Sequence, residues 1–220
     1  MASPAKPPPR QLNMRSLQIV QELKFGHPEH ALEVGFPQQI DLLELTEPPK
    51  LTAILYKIFE NDYNLVGIQL VFTNGFKTPM FQTYYAKMEG RQEKALDDGE
   101  GRRKSQDAPV LHTNVLPVDH TKTIATVAFR IQSHNDKQKL MGIKLTDSEG
   151  TLCGEVMWRT AGTGAQESWE EKEVPEGNFI CGLKANVSSD ATAIQSLSFL
   201  LCNSGWIEVI ELMSYLESFN

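Results

Sequence analysis

The chain has 220 residues, a hydrophobic content of 40% and a formal net charge of -7. This length can bury a substantial core, and we expect one domain. An excess of carboxylates repels phosphate backbones, so we expect no nucleic-acid partner. No apolar run approaches the ~20 residues that a membrane-spanning helix needs, so we expect no insertion into a membrane.

The first 39 residues are predicted to form a Pro-rich arm followed by a short amphipathic helix. Prolines recur between residues 4 and 9, and such a run favours an extended, polyproline-like arm. From Leu12 to Lys24 the apolar positions fall near a helical period, and Gly26 with Pro28 ends the pattern.

Three strand pairs follow along the chain, each with a polar turn between its strands. The first pair covers residues 53–59 and 65–72, the second 124–131 and 140–146, and the third 178–187 and 193–203. Residues 88–109 contain almost no apolar side chain and are predicted to be a flexible loop.

The second strand of each pair carries the same six-residue pattern: apolar, any, small, apolar, polar, apolar. The three copies are Leu65 to Leu70, Leu140 to Leu145 and Ile194 to Phe199. Alternation with a period of two is typical of a strand with one buried face. Three copies therefore indicate three similar antiparallel sheets, which makes the fold class all-β.

The segment Val174 to Leu183, together with the copy Ile194 to Phe199, resembles the jacalin-like lectin family. The resemblance covers about residues 50–203. It implies a β-prism-like domain of three related antiparallel sheets over residues 40–205, with short helical or extended segments at the N- and C-terminal ends.

The same resemblance implies a carbohydrate site after the last repeated hairpin, where the family carries a Gly followed four residues later by Asp. Gly205 matches the Gly, but Val209 stands where the Asp is expected, and Glu208 lies one position early. If the chain is a lectin, the ligand-binding residues are Asn203, Gly205, Trp206 and Glu208.

The histidines, cysteines and carboxylates are the candidate catalytic and metal-binding residues. His112, Asp119 and His120 form the nearest approach to a cluster, yet their spacing matches no familiar zinc pattern. A metal-dependent hydrolase at these residues is the third functional alternative. We expect no enzyme, no catalytic residue, no metal site and no cofactor.

The cysteines Cys153, Cys181 and Cys202 cannot all pair with one another. Cys181 and Cys202 fall in predicted strands, where a thiol acts as a small apolar side chain, so we interpret the cysteines as core residues in a reducing compartment. The Pro-rich start has no apolar core of a signal peptide. The sequence thus predicts an intracellular, cytoplasmic protein.

Residues 206–220 are predicted to form a C-terminal amphipathic segment, a helix being favoured over a strand. The two ends carry apolar stripes that the repeats do not need, and an exposed stripe of this kind suits helix-in-groove docking. The predicted partner-binding residues are Leu12, Ile19, Val20, Leu23, Trp206, Val209, Ile210, Met213 and Leu216.

The function predicted from these observations is a non-catalytic protein-interaction module, a structural or accessory subunit of a larger complex. Its expected partners are other proteins of that complex. The alternative is a carbohydrate-binding lectin, for which the partner is a glycan.

Overall fold

The structure is a computed structural model, and it describes residues 19–26, 31–32, 38–39, 48–59, 64–83, 110–134, 137–158, 166–188 and 192–203. Strands dominate these ranges. They are β1 (Gln21–Phe25), β2 (Ala31–Leu32), β3 (Gln38–Gln39), β4 (Leu51–Phe59), β5 (Leu65–Phe72), β6 (Phe81–Gln82), β7 (Leu111–Pro117), β8 (Thr126–His134), β9 (Lys137–Thr146), β10 (Leu152–Met157), β11 (Gln166–Glu173), β12 (Asn178–Ser188) and β13 (Ile194–Asn203). A 3₁₀ turn, Thr73–Gly75, follows β5.

The strands of the described ranges form three antiparallel sheets with one common order. Sheet I runs β6-β5-β4-β7, and sheet II runs β10-β9-β8-β11. Sheet III runs β1-β13-β12, and the free edge of β12 pairs with both β2 and β3. A central hairpin flanked by two outer strands thus recurs three times, and the predicted all-β, β-prism-like fold is confirmed.

The repeated six-residue pattern lies on equivalent strands, since its copies lie within β5, β9 and β13. The residue at the second position of the pattern has the same structural role in all three copies. Val66, Met141 and Gln195 are each skipped in the pairing with the neighbouring strand of the hairpin, so each is a β-bulge. A bulge adds one unpaired residue and increases the local twist, which suits the curvature of a sheet in a prism.

The apolar core lies between the three sheets. Phe25 of β1 and Phe199 of β13 both contact Phe129 of β8, with ring centroids 4.8 and 6.1 Å apart. Tyr56 of β4 contacts Trp158, which follows β10, with ring centroids 5.5 Å apart, and this contact joins sheet I to sheet II. Every sheet therefore contributes to one aromatic core.

Strand β1 corrects the prediction of a helix over Leu12 to Lys24 for residues 21–24, while residues 12–18 lie outside the described ranges. Gln21–Phe25 pairs with β13, where Leu23 faces Phe199 and Phe25 faces Leu197. Leu23 and Phe25 are buried, whereas Glu22 and Lys24 point outward, which is a period of two. The unpaired edge of β13 decides the outcome, because it offers hydrogen bonds that a helix here would leave unused.

The domain also begins earlier in the chain than predicted. The prediction placed its start at residue 40, but β1, β2 and β3 all precede that residue and all belong to sheet III. Residues 88–109, predicted as a loop, and 206–220, predicted as a C-terminal segment, lie outside the described ranges.

Candidate ligand pocket at one end of the prism

Strands β4, β8 and β12 occupy the same position in the three sheets, and the residues at their starts gather at one end of the prism. They line a pocket of about 250 Å³. The lining residues are Pro48, Pro49, Lys50, Leu51, Lys122, Thr123, Ile124, Val174, Gly177, Asn178, Phe179 and Ile180. The pocket therefore lies where the three repeats meet.

The wall contributed by sheet III is a tight turn between β11 and β12. The amide of Asn178 donates to the Pro175 carbonyl at 3.0 Å, and Gly177 has φ of +77°. A positive φ at the third residue is the feature of a type II turn, and glycine adopts it without steric cost. The turn is tied to sheet II, because the Val174 amide donates to the Ala125 carbonyl at 2.8 Å.

The wall contributed by sheet I is Pro48 to Leu51. The backbone of Lys50 is held from both sides by Thr73, which accepts from the Lys50 amide through Oγ1 at 3.2 Å and donates its own amide to the Lys50 carbonyl at 2.8 Å. These bonds fix the backbone of Lys50, which lines the pocket and is exposed.

The wall contributed by sheet II includes Lys122, in the turn between β7 and β8. Its Nζ donates to the Leu152 carbonyl at 3.3 Å and lies 3.9 Å from Asp119 Oδ2. Asp119 Oδ1 accepts from the hydroxyl and the amide of Thr121, at 2.6 and 3.1 Å. These bonds, with Lys122 nearby, lower the pKa of Asp119. Asp119 therefore stays ionised and orders the turn.

The chemistry of the pocket is mixed. Leu51, Ile124 and Phe179 provide apolar surface, while Asn178, Thr123 and the two lysines provide polar groups. No aspartate or glutamate is among the lining residues. A concave apolar surface with a few polar groups is the usual form of a small-molecule site. Sites for drug-sized ligands span about 300–1,000 Å³, so this volume suits a single ring with substituents.

Only one of the four predicted ligand-binding residues lies in the described part of the chain. Asn203 is the exposed last residue of β13, and it pairs across the sheet with Asn178, which lines the pocket. Gly205, Trp206 and Glu208 lie outside the described ranges, so that part of the site stays a prediction.

Sequence reasoning missed the pocket residues, although a signal for them was present. Pro48-Pro49-Lys50, Lys122-Thr123 and Pro175 to Asn178 each stand just before the first strand of a repeated hairpin. Aligning the repeats by their hairpins places these three segments together at one end of the prism.

The residues named for the third alternative, a metal-dependent hydrolase, are not brought together. His112 lies near the start of β7 and pairs with Ile58, whereas Asp119 and His120 follow the end of the strand. A strand rises about 3.3 Å per residue, so the five steps from His112 to Pro117 already place His112 about 16 Å from the end of β7 that Asp119 and His120 follow. Within the described ranges, no three His, Cys, Asp or Glu side chains form a group that suits a metal ion.

The predicted partner-binding residues that the structure describes are Ile19, Val20 and Leu23. Leu23 is buried in the core and is not open to a partner, while Ile19 packs partly against that core and Val20 is exposed. Leu12, Trp206, Val209, Ile210, Met213 and Leu216 lie outside the described residues. No helix of the described ranges is long and apolar enough to cross a membrane.

No protein-family model matches the chain, and no curated protein sequence does. Among solved structures, it is similar to the V. cholerae biofilm matrix protein Bap1, with 8% identity, a TM-score of 0.43 and coverage of 86% of this chain and 24% of Bap1. It is similar to jacalin in its complex with mellibiose, with 10% identity, a TM-score of 0.44 and coverage of 76% and 98%. The lectin MPA, complexed with T-antigen disaccharide, gives 11% identity, a TM-score of 0.43 and coverage of 76% and 99%.

The chain thus spans about a quarter of Bap1 and nearly the whole of jacalin and MPA. At these identities the likeness concerns the fold. The prediction of a protein-interaction module, a structural or accessory subunit, is corrected, because the similar structures include lectins.

Proposed function

We propose that this protein binds carbohydrate, with the pocket at the start of β4, β8 and β12 as the site. The observation that carries the proposal is the composition of the pocket, where Phe179 and aliphatic side chains stand beside the Asn178 amide and two lysine ammonium groups. A sugar ring matches such a surface, since it has an apolar C–H face and a rim of hydroxyls.

Each part of a bound sugar finds a partner in this arrangement. The C–H face of the ring packs on Phe179, as apolar groups do on aromatic surfaces. The Asn178 side chain offers both a donor and an acceptor, and a hydroxyl is able to use either. The backbone around it is held by the type II turn, which reduces the entropy lost when a ligand binds.

The charges of the pocket favour an acidic sugar over a neutral one. Lys50 and Lys122 line it, and no lining residue is acidic. Within the part of the chain that the structure describes, Lys122 shares its charge with Asp119, whereas no ion pair is seen for Lys50. A carboxylate bound by an ammonium group forms a charge-assisted hydrogen bond, stronger than a neutral one.

The test is a glycan array followed by calorimetry with matched sugars. Glucuronate and glucose differ only in the carboxylate at C6, as do galacturonate and galactose. We expect saccharides with a uronate to be retained and their neutral counterparts to bind more weakly. Removing one charged hydrogen-bond donor costs about 1.5–3 kcal/mol, so Lys50→Ala should weaken uronate binding about tenfold or more.

Lys24→Ala is the matched control, because Lys24 is also an exposed lysine but lies on β1, opposite Ser198 and away from the pocket. It should leave binding unchanged. Suppose that neutral sugars are retained by the wild type and by Lys50→Ala but lost in Asn178→Ala. That result would support carbohydrate binding at the pocket and contradict the preference for acidic sugars. An array without specific retention, or retention that no pocket variant alters, would overturn the proposal.

A further inference from the structure

Two of the three cysteines meet inside sheet III. Cys181 of β12 and Cys202 of β13 are both buried, and their Sγ atoms are 2.7 Å apart. Cys153 lies on β10 in another sheet, where its thiol is 3.8 Å from the Thr151 carbonyl. All three are free thiols in this structure.

The pairing of the strands explains why the two thiols face each other. Ile180 pairs with Leu201 and Phe179 pairs with Cys202, so Cys181 and Cys202 lie diagonally on either side of the Ile180–Leu201 pair. Neighbouring side chains alternate between faces of a sheet, so both thiols point to the face opposite the Ile180–Leu201 pair. Cys181 is also skipped in the pairing, between Ile180 and Gly182, so it lies at a β-bulge, and its Sγ is 2.7 Å from Cys202 Sγ.

We propose that Cys181 and Cys202 form an intramolecular disulfide that joins β12 to β13 when the protein meets a low-molecular-weight disulfide as oxidant. The proposal is independent of carbohydrate binding. The bond would tie the two strands at the same end of the prism as the pocket, since Phe179 and Ile180 line that pocket immediately before Cys181.

Cys202 is the thiol that reacts first. When it ionises, Cys181 donates a hydrogen bond to the thiolate, which lowers the pKa of Cys202 and raises the pKa of Cys181. Cys202 also lies nearer the end of β13, one residue before the exposed Asn203. Opening of the last two pairs of the hairpin, Asn178 with Asn203 and Phe179 with Cys202, is enough to expose it.

The exchange balances in two steps. The Cys202 thiolate attacks one sulfur of the oxidant disulfide, forming a mixed disulfide and releasing one thiolate of the oxidant, which takes up a proton. The Cys181 thiol then loses its proton, attacks the Cys202 sulfur and releases the second thiol of the oxidant. The two protein thiols are oxidised by two electrons, and the oxidant is reduced to two thiols.

The protein is incubated with oxidised glutathione and then unfolded in the presence of iodoacetamide, which alkylates the remaining free thiols. Mass spectrometry of the intact protein and of its peptides follows. We expect one alkylated cysteine, Cys153, and a peptide that links Cys181 to Cys202. Reduction before alkylation should give three alkylated cysteines. Cys153→Ser provides the matched variant, since it should form the same link and leave no cysteine to alkylate.

Three other results would overturn the proposal: three alkylated cysteines after oxidation, stable glutathione adducts on Cys181 or Cys202, or links that involve Cys153 or a second chain. The wild-type protein and Cys153→Ser decide the question together. Neither needs a substitution at the buried pair, so a failure of Cys181→Ser or Cys202→Ser to fold does not affect the answer.

Discussion

The third position of the repeated pattern is small because an outer strand lies close to it. In sheet II, a Cβ added to Gly142 would lie 2.5 Å from Met157 Sδ and 2.7 Å from the Val156 carbonyl oxygen. In sheet I, a Cβ on Gly67 would lie 3.2 Å from the Phe81 carbonyl oxygen. The equivalent residue of sheet III is Ser196, and there Gly26, which follows the outer strand β1, lies close to it.

Gly142→Ala should therefore destabilise the protein more than Gly67→Ala. The added methyl group at Gly142 meets a backbone carbonyl that cannot move without shifting β10, and overpacking of this kind costs about 1–3 kcal/mol. At Gly67 a shift of a few tenths of an ångström relieves the contact. Urea unfolding of both variants measures the difference in the free energy of unfolding, and equal losses would contradict this account.

Tyr56 and Trp158 make a buried contact, and the polar atoms of the two side chains have different surroundings. The Trp158 Nε1–H donates to the Leu140 carbonyl at 2.8 Å. Burial raises the pKa of the Tyr56 phenol, because the charged phenolate is poorly solvated there. The neutral phenol is therefore the form that the folded protein stabilises.

The raised pKa of Tyr56 predicts a loss of stability in alkali. An unfolded tyrosine ionises near pH 10, so above that pH the unfolded state binds fewer protons than the folded state and the free energy of unfolding falls. This contribution is fully present below about pH 10 and is lost as the pH rises through the folded pKa. Between about pH 9 and 11, wild type should lose more stability than Tyr56→Phe, as chemical unfolding would measure. If the free energies of unfolding of the wild type and Tyr56→Phe fall in parallel with pH, this prediction is wrong.

Among the elements, β1 is short but contacts two sheets. It has five residues, yet it covers the outer edge of β13 and contributes Phe25, which is fully buried. Lys172 of β11 lies 5.4 Å from the Phe25 ring centroid, and Glu170 of β11 accepts from the Gly26 amide at 3.3 Å. The strand thereby joins sheet III to sheet II.

Phe25→Ala should cost about 3–5 kcal/mol of unfolding free energy, the usual loss for a large buried aromatic side chain. Lys24→Ala, one residue earlier on the exposed face, should change it by less than about 0.5 kcal/mol. Thermal and urea unfolding of the two variants make the comparison. Similar small losses would mean that β1 is not part of the folded core.

At the scale of the whole molecule, the three sheets share one core and do not have separate cores. β13 packs against both β9 and β5, and β10 lies against β7. The backbone continues this link between sheets I and II, because the Asp119 amide donates to the Cys153 carbonyl at 2.8 Å. No sheet retains a complete apolar face without the other two.

Unfolding should therefore be one cooperative transition. Of the three tryptophans that contribute to the fluorescence, Trp158 and Trp169 lie next to or within sheet II, whereas far-UV circular dichroism reports on all strands. The two urea transitions of wild type should coincide, as a two-state process requires. In Phe129→Ala both should move together to lower urea, and a separation of the two midpoints would show that the sheets unfold independently.

The sequence by itself determined the parts of this protein that depend on local pattern. Alternation with a period of two is a property of neighbouring residues, so the three hairpins and their common motif were visible without a fold. Their recurrence indicated three similar sheets. The paired cysteines lay within two of those strands, and pairing of the strands is what later brought them together.

Only the tertiary structure decided the rest, because it depends on contacts between residues distant in the chain. β1 forms a strand through the open edge of β13, which lies more than 170 residues later, and its own spacing was read as helical. The pocket combines short segments before three different strands, and none of them has a pattern of its own. The separation of His112 from Asp119 likewise follows from the extension of β7, which the residue types alone did not indicate.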